Sequence, residues 1–256
     1  MKIKSIIFVS INLSLLFLLF GLSCGPKVPQ VVLDAEDQYA LAKREFEKKH
    51  WDDAVVELQK LIFSYPGAVF IDSAQYLLGM AYFNQEEYFL AIGEFSKLLS
   101  SYPTSQLSDD AAFMVAASDF EMSPRSELDP THTQSATDEL KNFLDDYPET
   151  DRREDAEELL NKCRAKLAKK AYKTGYLYYK MKHYASALIY LRQVLNDYHD
   201  TEWAGQAQFQ IAEVFYKQKK YDQAKEEYQK FLENFPEDKL AKKAKKRLKE
   251  LEKKMK

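Results

Sequence analysis

Residues that break helices are scarce in this chain. Only 7 of its 256 residues are glycine and 8 are proline, against about 7% and about 5% in an average protein. No two glycines are spaced as G-x-G, which excludes the glycine-rich cradles that hold dinucleotides and nucleotide phosphates. The two cysteines, Cys24 and Cys163, form no CxxC, and His50, His132, His183 and His199 never approach metal-ligand spacing. With no local catalytic motif either, the sequence predicts a protein that is not an enzyme and binds no metal and no cofactor. The composition, 46% hydrophobic and 30% charged, is that of a folding domain, and with so few turn formers the fold should be largely helical.

The amino terminus reads as an address. Lys2 and Lys4 precede a run from Ile6 to Phe20 that only Ser10, Asn12 and Ser14 interrupt, and Leu22-Ser23-Cys24 follows. A charged start, an apolar core and small residues at the cut predict a secretory signal over 1–23. The alternative is an uncleaved membrane anchor. Phe20-Gly21-Leu22-Ser23-Cys24 resembles the lipobox of bacterial lipoproteins, which implies that Cys24 is acylated and becomes the new amino terminus, followed by a short linker over 24–33. Gly25, where an aspartate would signal inner-membrane retention, leans the expectation toward the outer membrane. Without residues 1–23 the chain holds 35 basic and 40 acidic residues. With Cys24 acylated, Cys163 has no disulfide partner and reads as a small buried hydrophobe.

The body is a repeat. An alanine, an aromatic-proline pair beginning eleven residues later, and a second alanine eight after the proline recur five times: Ala54, Tyr65-Pro66, Ala74; Ala91, Tyr102-Pro103, Ala111; Ala136, Tyr147-Pro148, Ala156; Ala187, Tyr198-His199, Ala207; and Ala224, Phe235-Pro236, Ala244. A small residue precedes the first alanine by twelve positions at Ala42, Gly79, Gly175 and Ala212, with Ala116 displaced by an insertion in repeat three. Leu78-Gly79, Tyr82, Ala91 and Pro103 resemble the tetratricopeptide repeat, a helix–turn–helix unit whose neighbours must stack to bury their apolar faces. The expected fold is all-α, a right-handed superhelical solenoid of five such helix pairs.

The departures from a regular period place the remaining elements. Ala91 to Ala136 is eight residues longer than the regular spacing of 37, and Met122 to Thr131 holds Pro124 and Pro130, so a surface loop is expected there. Ala136 to Ala187 is fourteen longer with no proline in the extra segment, which predicts one long joining helix from about Arg153 to Met181. That helix divides the body into repeats one to three (34–152) and a second half (153–256). Lys239 to Lys256 carries ten basic and two acidic residues around an apolar stripe of Ala241, Ala244, Leu248, Leu251 and Met255, and reads as a capping helix. Its charge suits an ordinary solvated face, or a surface for anionic lipid or an acidic partner. A nucleic-acid partner does not suit an exported, net acidic chain.

Three before and four after each small residue stands an aromatic: Tyr39 and Phe46, Tyr76 and Phe83, Phe113 and Phe120, Tyr172 and Tyr179, Phe209 and Tyr216. That spacing puts each pair on one helix face. Strict repetition favours inter-repeat core, and the sharper alternative is a ladder that stacks on an extended, aromatic-ended peptide. Asp52-Asp53, Asp109-Asp110 and Asp145-Asp146 point about 100° apart on a helix and read as helix-start charges, not as a catalytic pair.

The lipobox, short linker, five repeats, loop before repeat three and long helix before repeat four together resemble the BamD family, lipoprotein subunits of the outer-membrane β-barrel assembly machine. Local echoes are Asp129-Pro130-Thr131, Ala136, Phe143 and Tyr147-Pro148, then Tyr178-Tyr179-Lys180, Tyr184 and Ala187, with Arg192 standing for an arginine the family carries after that alanine. Lys170, near which the family is acidic, and His199 for proline are departures that bear on subunit contacts. The resemblance implies a periplasm-facing, lipid-anchored scaffold. It implies docking to the barrel-forming assembly subunit, mainly through the C-terminal repeats (Tyr179, Arg192 and Tyr216), in company with accessory lipoproteins. It also implies capture of C-terminal segments of unfolded outer-membrane proteins by the N-terminal repeats (Tyr39, Phe46, Tyr76, Phe83, Phe113 and Phe120). The rivals are another periplasmic repeat lipoprotein, a secretin pilot or a Tol–Pal coordinator, and more remotely a cell-wall enzyme.

The anchor is open to direct test. A palmitate analogue should label the wild-type chain in cells and leave Cys24→Ser unlabelled; equal labelling of both would remove the lipid.

Overall fold

In the computed structural model the described residues are 33–126 and 128–255, so the signal segment, Cys24 and most of the linker lie outside them. The described residues form eleven α-helices and no strand. They pair as α1 (Ala35–Glu47) with α2 (Trp51–Ser64), α3 (Ile71–Asn84) with α4 (Tyr88–Ser101), and α5 (Ser108–Met122) with α6 (Thr131–Asp146). Then come the long α7 (Arg153–Lys180) with α8 (Tyr184–Asp197), α9 (Trp203–Lys217) with α10 (Tyr221–Asn234), and the terminal α11 (Ala241–Lys254). Each helix packs on the next in chain order, giving a helical-repeat solenoid of five hairpins and a cap.

The landmarks sit where the packing is tightest. Ala54, Ala91, Ala136, Ala187 and Ala224 are all fully buried, as are Ala74, Ala111, Ala156, Ala207 and Ala244. At the crossing of each hairpin the small residue of the first helix faces a bulky one, sixteen residues on in every repeat but the third, where the insertion makes it twenty-four. A Cβ on Gly79 would lie 2.6 Å from the Phe95 ring, and one on Gly175 would lie 2.9 Å from Leu191 Cγ. Each second helix ends at the aromatic of the aromatic-proline pair, because the residue before proline is driven out of the helical region. Tyr65, Tyr102, Tyr147 and Phe235 hold ψ of 55–66°, whereas Tyr198, followed by His199, relaxes to 35°.

Four of the five hairpin turns share one geometry. Lys49, Glu86, Lys182 and Lys219 adopt φ of 61–64°, and the next amide reaches back to a carbonyl five residues earlier, as in His50 N to Glu45 O at 3.0 Å. This left-handed closure caps the first helix of the pair. Repeat three lacks it. Ser123 there is extended, and the inserted loop carries the chain from Met122 to Thr131 before α6 starts.

α7 is a single rod of 28 residues, about 42 Å long. Its first half buries Ala156 and Cys163 against α5 and α6, and its second half buries Ala168 and Ala171 in the core of repeats four and five. Cys163 is a fully buried free thiol whose pKa burial pushes up to about 11. α11 closes the stack through Ala241, Ala244 and Leu251, while Met255 falls past the helix end and is exposed. One helix-start expectation is corrected. Asp52-Asp53 and Asp109-Asp110 do open α2 and α5, but Asp145-Asp146 close α6, because Tyr147-Pro148 ends that helix immediately after them. No helix among the described residues is long and apolar enough to cross a membrane.

Two glycines in adjacent helices should respond in opposite directions. Gly79→Ala presses a methyl into the immobile Phe95 ring and should cost about 1–3 kcal/mol. Gly93→Ala meets nothing within 4 Å and should stabilise by roughly 0.5–1 kcal/mol. Chemical denaturation of both variants checks the pair.

Candidate functional site

The repeated aromatics occupy one register on α1, α3, α5, α7 and α9, half-buried in every case except Phe209, which is almost wholly covered. The ring three before the small residue leans on a neighbour in the stack. Tyr39 stacks on Phe70 at 4.7 Å, Tyr76 tilts on Phe95 at 5.6 Å, Phe113 on Phe143 at 6.0 Å and Tyr172 on Trp203 at 5.3 Å. Phe209 meets Phe231 edge-on at 5.6 Å. The ring four after it meets the aromatic that opens the second helix: Phe46 with Trp51, Phe83 with Tyr88, Tyr179 with Tyr184 and Tyr216 with Tyr221. In repeat three the insertion removes that neighbour, and Lys166 of α7 covers Phe120 instead, 5.4 Å from the ring centre. Each ring but Phe209 thus fastens its hairpin with one side and keeps an edge toward solvent. Burial, with help from Asp110, pushes the Tyr76 hydroxyl up to about 12, so it stays a hydrogen-bond donor.

The C-terminal residues are placed differently from one another. Tyr179 belongs to a strip that runs along α7, with Tyr172–Tyr176 at 6.2 Å and Tyr176–Tyr179 at 6.0 Å. Lys180 lies over Tyr176, and Lys169 lies over Trp203 at the end of the strip. Tyr176 is the exposed member of the strip, and Leu177 and Met181, turned to another side of α7, and Ile189 on α8 are exposed as well. Tyr216 is roofed by the cap: Arg247 stands 4.6 Å and Lys254 4.7 Å from its ring centre, and Lys254 Nζ donates to its hydroxyl at 2.9 Å. Arg192 is exposed on α8, and no contact among the described residues joins it to Tyr179 or Tyr216. Tyr176 and Trp203 lie outside the repeated pair of positions. The only signal for Tyr176 is that its register, held by Lys43, Met80, Ala117 and Glu213 elsewhere, varies from repeat to repeat.

Beneath the rings, repeats share a polar clasp. Gln38 donates to Glu57 at 2.6 Å, Gln75 to Glu94 at 2.6 Å and Gln208 to Glu227 at 2.5 Å, each pair nineteen residues apart. Repeat four replaces both partners, with Ala171 and Tyr190. Repeat three keeps the glutamate, Glu139, but has Ala112 where the glutamine should be. A cavity of about 270 Å³ lined by Ala112 and Glu139 occupies the vacated space, and Glu139 Oε2 is buried without a partner among the described residues. Burial and the neighbouring Asp119 carboxylate push Glu139 up to about 8. Asp119 itself is held by His132 Nδ1 at 2.7 Å.

One group of metal-ligand types comes together among the described residues, Glu45, His50 and Asp53. Its central carboxylate is already engaged by His50 at 2.9 Å and Lys48 at 3.2 Å, contacts that draw Glu45 down to about 2.

A stack of hairpins with half-open aromatic edges and exposed apolar side chains defines a helical-repeat scaffold for protein interaction. Residues 33–218 match the outer membrane lipoprotein family YfiO, and the chain belongs to that family. Residues 206–238 also match a tetratricopeptide repeat. No curated protein matches the chain. Similar solved structures include a tetratricopeptide repeat protein of Parabacteroides merdae, 15% identical, with 85% of this chain and 72% of that one covered at a TM-score of 0.37. A repeat protein of Bacteroides fragilis is 11% identical over 86% of this chain and 99% of that one, with a TM-score of 0.48. A repeat protein of Thermus thermophilus is 16% identical over 84% and 98%, with a TM-score of 0.37.

Glu139 fixes the sign of a pH effect. Its folded pKa is raised, so between about pH 4.5 and 8 the native state keeps a proton that the unfolded chain has released. Stability from this group therefore falls as pH rises through that window. Glu139→Gln should flatten the trend, raising the melting temperature more at pH 8 than at pH 5; scans at both values check it.

Proposed function

We propose that the chain is a lipoprotein scaffold of the outer-membrane β-barrel assembly machine, carried to the membrane by a lipid on Cys24 after removal of residues 1–23. It performs no chemistry. In this reading residues 153–256 dock on the barrel-forming subunit and its accessory lipoproteins, and residues 34–152 hold C-terminal segments of unfolded outer-membrane proteins. The observation that carries it is the family match across residues 33–218, which runs from the first hairpin through α7 and α8 to the end of α9.

The geometry supports a division of labour between the halves. The half-open Tyr172–Tyr176–Tyr179 strip and the exposed side chains of Leu177, Met181 and Ile189 around the α7–α8 hairpin are the kind of uncovered apolar surface that a stable partner buries. The open edges of Tyr39, Phe46, Tyr76, Phe83, Phe113 and Phe120 repeat along α1, α3 and α5 and suit a single extended segment crossing three repeats. Such a segment would stack on rings that the hairpins already hold in place, so little ordering cost falls on the scaffold.

Affinity purification of the full chain from envelope extracts tests the reading. A large outer-membrane barrel with its own periplasmic repeats should be recovered, and Leu177→Asp, at an exposed position, should reduce its recovery several-fold with an unchanged melting temperature. Recovery of a secretin ring in its place would make the chain a pilot and overturn the proposal.

A further inference from the structure

α11 divides its cations between two tasks. Those facing inward are consumed by the stack. Arg247 binds Glu213 through Nε at 2.7 Å and Nη2 at 3.1 Å, and Glu250 through Nη1 at 2.9 Å. Tyr228, fully buried, donates to the same Glu213. Lys254 is spent on Tyr216, and Lys243 lies 4.9 Å from the Phe209 ring centre. What remains is Lys242, Lys245, Lys246, Lys249 and Lys253, all exposed and none in an ion pair or hydrogen bond among the described residues. At 3.6 residues per turn these five fall within about 100° of the helix circumference and span about 17 Å. They lie on the side of the helix away from the buried Ala244 and Leu251.

Elsewhere six exposed lysines are matched to an acid within one turn, among them Lys60 to Glu57 at 2.7 Å, Lys97 to Glu94 at 2.7 Å, Lys162 to Glu158 at 2.6 Å and Lys230 to Glu226 at 2.7 Å. No lysine of the stripe is matched in this way: Glu252 flanks its edge without an ion pair, and Glu250, on the other flank, is tied to Arg247. The stripe also lacks what a protein interface uses, since it holds no aromatic residue and its helix turns its one arginine inward. Lysine is depleted at protein interfaces, where arginine and aromatic anchors carry the energy. A row of lysine charges needs no shape match on a surface that is itself uniformly anionic.

We propose that the outer face of α11 docks on the anionic phospholipid headgroups of a bilayer surface. The contact is electrostatic and lies parallel to the helix axis, with the apolar face of α11 remaining in the solenoid core. It gives the carboxy-terminal end of the stack a membrane contact that owes nothing to acylation at Cys24, and it leaves the aromatic strip on α7 uncovered.

Vesicle flotation decides the matter, using the chain from Gly25 onward, which keeps every described helix. The chain should bind vesicles of equimolar phosphatidylglycerol and phosphatidylcholine, ignore vesicles of phosphatidylcholine alone, and dissociate at high salt, where charges more than a few ångströms apart are screened. Replacing Lys242, Lys246 and Lys249 by glutamine should weaken binding roughly fivefold per lysine, on the order of a hundredfold in all, at an unchanged melting temperature. Replacing Lys43, Lys60 and Lys97 by glutamine makes the same change in net charge and should leave binding within a fewfold of wild type. Equal loss in the two triple variants would reduce the effect to net charge and overturn the site. Wild type that ignores the anionic vesicles yet binds immobilised polyglutamate would assign the stripe to an acidic protein, and likewise overturn the proposal.

Discussion

Where the two helices of a hairpin cross, a residue with almost no side chain receives a bulky one from across the gap. Phe95 fills the space that Gly79 leaves, and Leu191 the space at Gly175. The same register sets Leu58 opposite Ala42, Leu140 opposite Ala116 and Tyr228 opposite Ala212, each pair within one core cluster and each bulky partner fully buried. The contact fixes how closely the helices approach, and thereby where every other side chain on their surfaces points. Enlarging the small residue or shrinking the large one disturbs the whole hairpin, which is why the remaining variation falls elsewhere.

That variation is concentrated in repeats three and four. The clasp between glutamine and glutamate is complete in repeats one, two and five, half-dismantled in repeat three and absent from repeat four. The left-handed turn is missing only from repeat three among the five hairpins. In its place Lys166 of α7 donates to Ser123 O at 2.9 Å, and Lys170 donates to Leu128 O. Lys170 therefore has a structural task here: it ties the inserted loop to the long helix. A backbone carbonyl prefers an ammonium donor to an acid at that position, so the loop and the lysine are best understood as one change.

Much of the architecture was legible because it is periodic. The five hairpins, the loop from Met122 to Thr131, the long helix beginning at Arg153 and the cap all follow from counting, since a packed repeat imposes its spacing on the sequence. The site residues were legible only in part. Their register was visible, but Tyr216 lies under Arg247 and Lys254, cations more than thirty positions away, and no local pattern announces a contact that depends on how α11 packs on α9. Tyr176 was missed for the opposite reason, because it breaks the pattern that made its neighbours conspicuous. The aspartates at 145 and 146 were assigned to a helix start on charge alone, while the frame already placed the helix end at Tyr147. Where local electrostatic preference and the repeat frame disagree, the frame wins. A terminal charge preference is worth at most about 1 kcal/mol at an exposed site, and breaking a buried crossing costs more.

α7 converts these local differences into a property of the whole molecule. Its two halves belong to separate cores, one closed by Cys163 with α5 and α6, the other by Ala168 and Ala171 with α8 and α9. Between them the helix contains no proline, and its one glycine, Gly175, is locked against Leu191, so the rod has no built-in hinge. Outside the backbone, the inserted loop braces the rod through Lys166 and Lys170, and Arg164 ties it to Asp200 beyond α8 at 2.5 Å. A joining helix anchored at both ends transmits orientation: the ring edges on α1, α3 and α5 stand at a set angle to the tyrosine strip on α7 itself. Any partner that seats on the strip therefore meets the amino-terminal face in one fixed direction, which a flexible linker of the same length could not provide.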